Sequence, residues 1–198
     1  MKFLIIIGFS GVGKTSAGAF LSTQAGAVHF EASKYMRSLW SKSEDRSETI
    51  QDFAAKSLKT RPNAVPDAIL REVDQSRATR GIITGFRSPA EVRRIEATHD
   101  IRLLLIDATL ASRIDRLRHR VREGDPVTCE QLMKLDEAHL AMGMRTLLEV
   151  GKPGRISNER GVQDFQRSLI KYASSFFMEK PSATPRQSGS RVGEPITF

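Results

Sequence analysis

Short apolar runs rich in branched side chains recur along this chain, and between them the apolar positions fall three and four apart. The runs read as strands: Phe3 to Ile7, Ala27 to Phe30 ending at Glu31, Gly81 to Thr84, Ile101 to Ile106, and a short one from Arg155 to Asn158. The helical stretches begin with Ala17, Phe20 and Leu21, followed by Ser33 to Trp40. Ile50, Phe53, Ala54 and Leu58 form a stripe that Arg61-Pro62-Asn63 ends, and a further helix starts near Pro66. Glu91 to Ala97 is helical, as is the stripe Leu110, Ile114, Leu117 and Val121, with Arg113, Arg116 and Arg120 on the neighbouring face. Cys129 to Glu149 reads as one long helix, and Val162, Phe165, Leu169 and Phe176 mark the last. Strands alternating with helices predict an α/β fold: a five-stranded parallel sheet between two helical layers. The segment from Lys180 onward, rich in Pro, Ser, Gly and Arg, offers little to bury and is expected to be disordered.

Candidate chemistry starts where the first strand breaks into glycines. Gly8-Phe9-Ser10-Gly11-Val12-Gly13-Lys14-Thr15 fits G-x-x-x-x-G-K-[ST], the phosphate-binding P-loop, in its required strand-to-helix context. Glycines let successive N–H groups turn onto a phosphate, Lys14 reaches the terminal phosphates, and the Thr15 hydroxyl takes a place on Mg²⁺. The helix that follows points its positive end at the same anion. The expected cofactors are therefore ATP and Mg²⁺.

Composition narrows the setting. The 198 residues suit one domain, and the net charge of +8 favours anionic partners: nucleotides, phosphates or nucleic acid. No basic stretch is interleaved with aromatics, so nucleic acid is not favoured. A lone cysteine, Cys129, points to a reducing cytoplasm, and neither a membrane span nor a leader pattern is expected. His29, His99, His119 and His139 show no metal-ligand spacing, and Cys129 has no evident base partner. Met133, Met142 and Met144 read as core or interface filler.

Five local features together resemble one family. They are the P-loop; Glu31-Ala32-Ser33 with Arg37; Gly85-Phe86-Arg87-Ser88-Pro89-Ala90-Glu91-Val92; Arg113 through Asp125-Pro126 with Asp136; and Ile156-x-Asn158. From Met1 to Tyr172 the chain resembles the P-loop nucleotide kinases, which include adenylate kinase and dephospho-coenzyme A kinase. Within that group it looks most like archaeal proteins described as related to the latter. The resemblance implies a three-layer P-loop kinase domain over 1–178, with an acceptor-binding insert over about 33–77, a lid over about 120–128, and a disordered tail over 179–198.

It also implies roles. Gly8, Ser10, Gly11, Val12, Gly13, Lys14, Thr15 and Ser16 would cradle the nucleotide, with Arg116 on its phosphates and Asn158 near its base. Arg37, Gly85, Phe86 and Arg87 would receive the phosphorylated acceptor, and Arg116 and Arg120, joined by Arg122, would clamp the transferring group. Two departures bear on the acids. Thr84 stands where adenylate-kinase-like members carry a metal-supporting acid, and the Asp-Ala-Asp of dephospho-coenzyme A kinases reads Glu31-Ala32-Ser33. Glu31 is then the candidate for orienting an acceptor hydroxyl or assisting Mg²⁺, ranked above Asp107.

The leading expectation is ATP- and Mg²⁺-dependent transfer to a small phosphorylated acceptor, foremost a nucleoside or deoxynucleoside monophosphate. Alternatives are dephospho-coenzyme A, a hydroxyl of nucleic acid, and a nucleotide-dependent switch or ATPase without transfer. The acceptor's identity and the oligomeric state are left open.

Overall fold

The structure, a computed structural model, describes residues 1–43, 47–120 and 125–179. Five strands, β1 (Lys2–Ile7), β2 (Val28–Glu31), β3 (Arg80–Thr84), β4 (Asp100–Asp107) and β5 (Gly154–Ser157), make one sheet ordered β2-β3-β1-β4-β5. Every neighbouring pair is parallel, so all five carboxyl ends meet along one edge.

β1 takes the central place because both its faces are apolar. Phe3, Ile5 and Ile7 enter one buried cluster while Leu4 and Ile6 enter the other, the period-two alternation of a strand covered on both sides. All five are 0 % exposed, and each such side chain contributes about 1.5–3 kcal/mol by leaving water.

On the Leu4 face lie α1 (Lys14–Ala25), through Ala17 and Leu21, and α9 (Val162–Met178), through Phe165, Leu169 and Phe176. The Phe3 face is covered by α2 (Ala32–Ser41), α3 (Ile50–Thr60), α4 (Ala64–Asp74) and α5 (Pro89–Glu96). The stretch expected as an acceptor-binding insert contributes Phe53, Val65 and Ile69 to the same cluster as the sheet. α6 (Leu110–Arg120) and α7 (Cys129–His139) share a smaller cluster of Ile114, Leu117 and Leu132.

The single long helix expected from Cys129 to Glu149 is broken in two. α7 gives way to a π-helical turn, Leu140–Met144, before α8 (Arg145–Glu149). Gly143 has φ 118°, which no α-helix continues through, and a Cβ there would lie 3.0 Å from Pro89 Cδ and 3.2 Å from Ser88 Cα. The break therefore lets the backbone dock against the start of α5. Of the three methionines, Met144 is buried, Met142 packs against the core and Met133 is exposed. Arg122 and all but Glu179 of the 179–198 tail lie outside the described residues. Among those described, no helix is long and apolar enough to cross a membrane.

Candidate active site

From β1 the chain runs out to β2, returns to β3, then crosses to β4 and β5, so the order reverses about β1. An α/β sheet opens a crevice beyond its carboxyl ends at such a point. Here the crevice is a cavity of about 620 Å³, lined by the loops after β1 and β3, by Glu31 at the end of β2, and by α2, α3, α6 and α7.

The P-loop wraps one wall. Gly11 (φ +82°) brings its Cα so close to α6 that a Cβ would sit 2.7 Å from the Arg113 carbonyl oxygen. Gly13 (φ +95°) meets the Asn158 amide, where a Cβ would lie 2.8 Å from Nδ2. Gly13 is also the N-cap of α1, and among the described residues no side chain bonds the first amides of that helix. α5 differs: Ser88 Oγ accepts from the Glu91 amide, and Glu91 Oε2 accepts from the amides of Arg87 (2.8 Å) and Ser88 (2.9 Å). α5 closes its own positive end, whereas the first amides of α1 are open to an acceptor from outside the helix.

Side chains from later in the sequence hold the loop. Arg113, 5 % exposed, donates Nε–H to the Ser10 carbonyl (2.7 Å) and both terminal nitrogens to Asp136 (2.7 and 2.6 Å). Asn158 donates Nδ2–H to the Val12 carbonyl (2.9 Å), and its own carbonyl accepts from Arg116 Nη2 (2.6 Å). The other terminal nitrogen of Arg116, Nη1, is buried with no partner among the described residues. An orphaned guanidinium donor beside a P-loop is the observation that fits an incoming phosphate oxygen.

Several cations converge on this space. Burial, then Arg87, Arg113 and Arg120, pulls the Lys14 ammonium down to about 7. Lys14 Nζ donates to the Phe9 carbonyl at 2.7 Å. Burial also lowers Arg87, with Glu91 opposing and Arg37 adding to the fall. Among the described residues no hydrogen bond or ion pair reaches the Arg87 guanidinium. Such crowding costs folding free energy that a polyanion would recover on binding.

Glu91 supports Arg87 from behind. Burial pushes its carboxyl up to about 7, against the amides and guanidinium that favour the charged form. Since the folded value exceeds the unfolded one, the stabilisation is fully present below the usual carboxyl range and is lost as pH rises through about 7. Glu91→Gln, neutral at every pH, is expected to remove this component. Melting curves from pH 4.5 to 7.5 should show wild type losing stability relative to the variant as pH rises; parallel curves would contradict it.

The expected site residues divide clearly. Ser10, Gly11, Gly13, Lys14, Thr15 and Ser16 line the cavity, as do Glu31, Arg37, Gly85, Arg87, Arg116 and Arg120. Arg120 is held by Asp125 through two contacts of 2.8 and 2.6 Å. Phe86 is not at the cavity: it is 0 % exposed in the core, because its side chain turns to the Phe3 face while its neighbour Arg87 turns to the opening. Gly8 and Val12 shape the loop from behind, and the Asn158 side chain is engaged with the P-loop rather than offered to a base.

Among the acids, Glu31 is paired in register with Thr84, which puts a carboxylate one strand away from where the adenylate-kinase acid would stand. Thr84 Oγ1 bonds His29 Nε2 at 2.9 Å, and Glu31 Oε1 accepts from Ser33 at 2.5 Å. Asp107 faces Arg155 in an ion pair at 2.5 Å and does not line the cavity. Among the described residues no cluster of His, Cys, Asp or Glu could hold a metal alone.

His139 was missing from the expected site. It is 2 % exposed, lines the cavity, and has Nδ1 without a partner among the described residues. Burial, then Arg87, Lys14 and Arg113, holds its pKa far below the usual value. Its signal in the sequence is the three-residue step from Asp136, which puts the two on one helical face.

Residues 3–141 match the family described as an AAA domain. Over 126 residues the chain is 30 % identical to a UPF0200 protein of Methanoculleus marisnigri, covering 61 % of this chain and 68 % of that protein. It is 31 % identical over 134 residues to one from Pyrococcus horikoshii, covering 63 % and 72 %. With one from Pyrococcus abyssi the match covers 44 % of this chain and about half, 48 %, of the relative. Among solved structures it is similar to a gluconokinase from Sinorhizobium meliloti (TM-score 0.57, 15 % identity, 89 % of this chain and 96 % of that one). It is also similar to a shikimate kinase from Aquifex aeolicus (TM-score 0.54, 12 % identity, 88 % and 98 %). At these identities the likeness is one of fold, and the fold is that of P-loop kinases.

Proposed function

The chain belongs to the AAA-domain family and groups with the UPF0200 proteins, and from that premise we propose that it is an ATP- and Mg²⁺-dependent kinase of a small phosphorylated acceptor. The observation that supports the reading is one cavity lined by more cations than a single phosphate site uses: Lys14 and Arg116 beside the P-loop, which we assign to the donor, and Arg37 and Arg87, which we assign to the acceptor. A switch or simple ATPase needs only the first.

Phosphoryl transfer asks chiefly for positioning and for positive charge on the equatorial oxygens. The P-loop amides, Lys14 and the unpaired Arg116 Nη1 supply these on the donor side. Arg120, the last residue of α6, would clamp the transferring group; residues 121–124 of the lid expected over about 120–128 lie outside the described residues. Arg87 and Arg37 hold the acceptor's own phosphate, which makes a nucleoside or deoxynucleoside monophosphate the leading acceptor class and dephospho-coenzyme A the second. Thr15 would hold Mg²⁺, with Glu31 assisting through water. A divalent ion held there would supply positive charge to offset that of the phosphates. The site is proposed to work in the cytoplasm, where ATP and reduced thiols prevail.

A coupled assay of ADP release across nucleoside monophosphates, deoxynucleotides and dephospho-coenzyme A tests the proposal. One compound should accelerate ATP consumption well above the water reaction; a flat panel would sink the kinase reading. Arg87→Ala is expected to raise KM for that compound about 10–100-fold, the loss of a charge-assisted contact worth about 1.5–3 kcal/mol. KM for ATP should change little. An unchanged acceptor KM would move the acceptor site elsewhere. Steeply salt-dependent RNA or DNA binding would instead favour a nucleic-acid hydroxyl.

A further inference from the structure

His139 sits at the end of α7 with its ring buried against the cavity and Nδ1 unpaired. A buried polar atom left without a partner costs on the order of 1–3 kcal/mol, and an apolar side chain would fill this space without that cost. The charges that act on the ring, Arg87, Lys14 and Arg113, are cations, and Asp136 on the same helical face is already taken by Arg113. The group that completes the site is therefore an anion that accepts hydrogen bonds, and a neutral imidazole meets it as a donor. The two orientations of the ring about χ2 fill the same space, so the ligand selects which nitrogen faces it.

The backbone fastens the ring from both sides. One turn before it, Asp136 ties α7 to Arg113. Directly after it comes the π-helical turn, whose Gly143 packs on Ser88 and Pro89, the residues that follow Arg87. Turns of this kind concentrate at functional sites, because the extra residue re-aims one side chain within a helix. Here it locks the end of α7, and with it His139, to the loop that carries Arg87.

We infer that His139 is a substrate-contacting residue whose neutral ring donates a hydrogen bond to a phosphate oxygen of the acceptor, at the seam between Lys14 and Arg87. The inference rests on the kinase reading and adds a directional donor to it. A fourth cation would only deepen the repulsion among the three already there, whereas an uncharged N–H fixes the angle of approach.

The test uses full-length protein carrying ¹⁵N-histidine, with the His139 ring signals assigned by their loss in His139→Gln. Inorganic phosphate is titrated in the presence of Mg²⁺ and a non-hydrolysable ATP analogue. The His139 signals should move to saturation along with binding. The phosphate Kd should weaken about tenfold in His139→Ala and stay within about threefold of wild type in His139→Gln, which keeps a neutral N–H donor. Signals that stay still, phosphate that does not bind, or an alanine variant that binds like wild type would each overturn the inference. If phosphate moves His139 while no acceptor in the panel yields ADP, this contact stands and the kinase reading falls. If an acceptor is phosphorylated while His139 stays silent, the reverse holds.

Discussion

Lys14→Ala is expected to lower kcat for phosphoryl transfer by at least about 10²–10³-fold while leaving the protein as heat-stable as wild type, or more so. The two halves come from one observation. Lys14 is crowded by burial and by Arg87, Arg113 and Arg120, which pull its ammonium down to about 7. Removing it relieves the folded chain of an unfavourable charge, so stability should not suffer. The same ammonium belongs to the P-loop and donates to its Phe9 carbonyl, and removing one preorganised donor of this kind costs about 10²–10³ in rate. Steady-state kinetics and differential scanning fluorimetry on the same preparation check both halves. A variant that turns over normally would remove Lys14 from the chemistry. A large drop in melting temperature would show that Lys14 supports the fold rather than strains it.

Asp136→Ala should have the largest effect on stability. Arg113 is 5 % exposed, and Asp136 takes both its terminal nitrogens. Truncating the acid strands a buried guanidinium, at a cost of about 3–5 kcal/mol. In a chain of this length that corresponds to a fall of roughly 10 °C in melting temperature. Nucleotide binding should weaken as well, because the same guanidinium holds the Ser10 carbonyl in the P-loop. The paired replacement Arg113→Met with Asp136→Leu removes both charges and should recover most of the lost stability but not the anchored loop. Thermal melts with and without Mg²⁺ and an ATP analogue separate the two effects. A single variant that melts within about 2 °C of wild type would contradict the account.

Much of this molecule could be read before its coordinates. Phe3 to Ile7 declared a strand buried on both faces, and the glycines after it declared an anion site, because each rests on local chemistry that little else produces. The placement of Glu31 beside Thr84 was half legible. The sequence showed an acid at the end of one strand and a hydroxyl at the end of another, but only the strand order made them neighbours. Arg113 shows the limit of spacing. It shares a stripe with Arg116 and Arg120, yet it is buried in an ion pair while Arg120 lines the opening. A helical stripe is wide, and tertiary packing decides which of its members meets solvent. Asn158 shows a related limit: the resemblance put its loop near a base, and what the spacing did not reveal is that its amide buttresses Val12.

The break after His139 was the larger omission. Gly143 lies inside a run of helix formers, and a glycine there is tolerated often enough that it need not end the helix. Its positive φ follows from docking on Ser88 and Pro89, a contact between segments more than fifty residues apart in the chain. His139 went unnoticed for the same reason, since its cationic neighbours come from the P-loop, the Arg87 loop and α6.

The claim on which the account turns is that one cavity holds two phosphate groups at once. A bisubstrate analogue, two nucleosides joined through a five-phosphate bridge, measures this directly when its Kd is set beside that of ATP. The account predicts binding at least about tenfold tighter than ATP, lost in part by Lys14→Ala and returned to the ATP level by Arg87→Ala. Binding no tighter than ATP, or binding indifferent to Arg87, would contradict it.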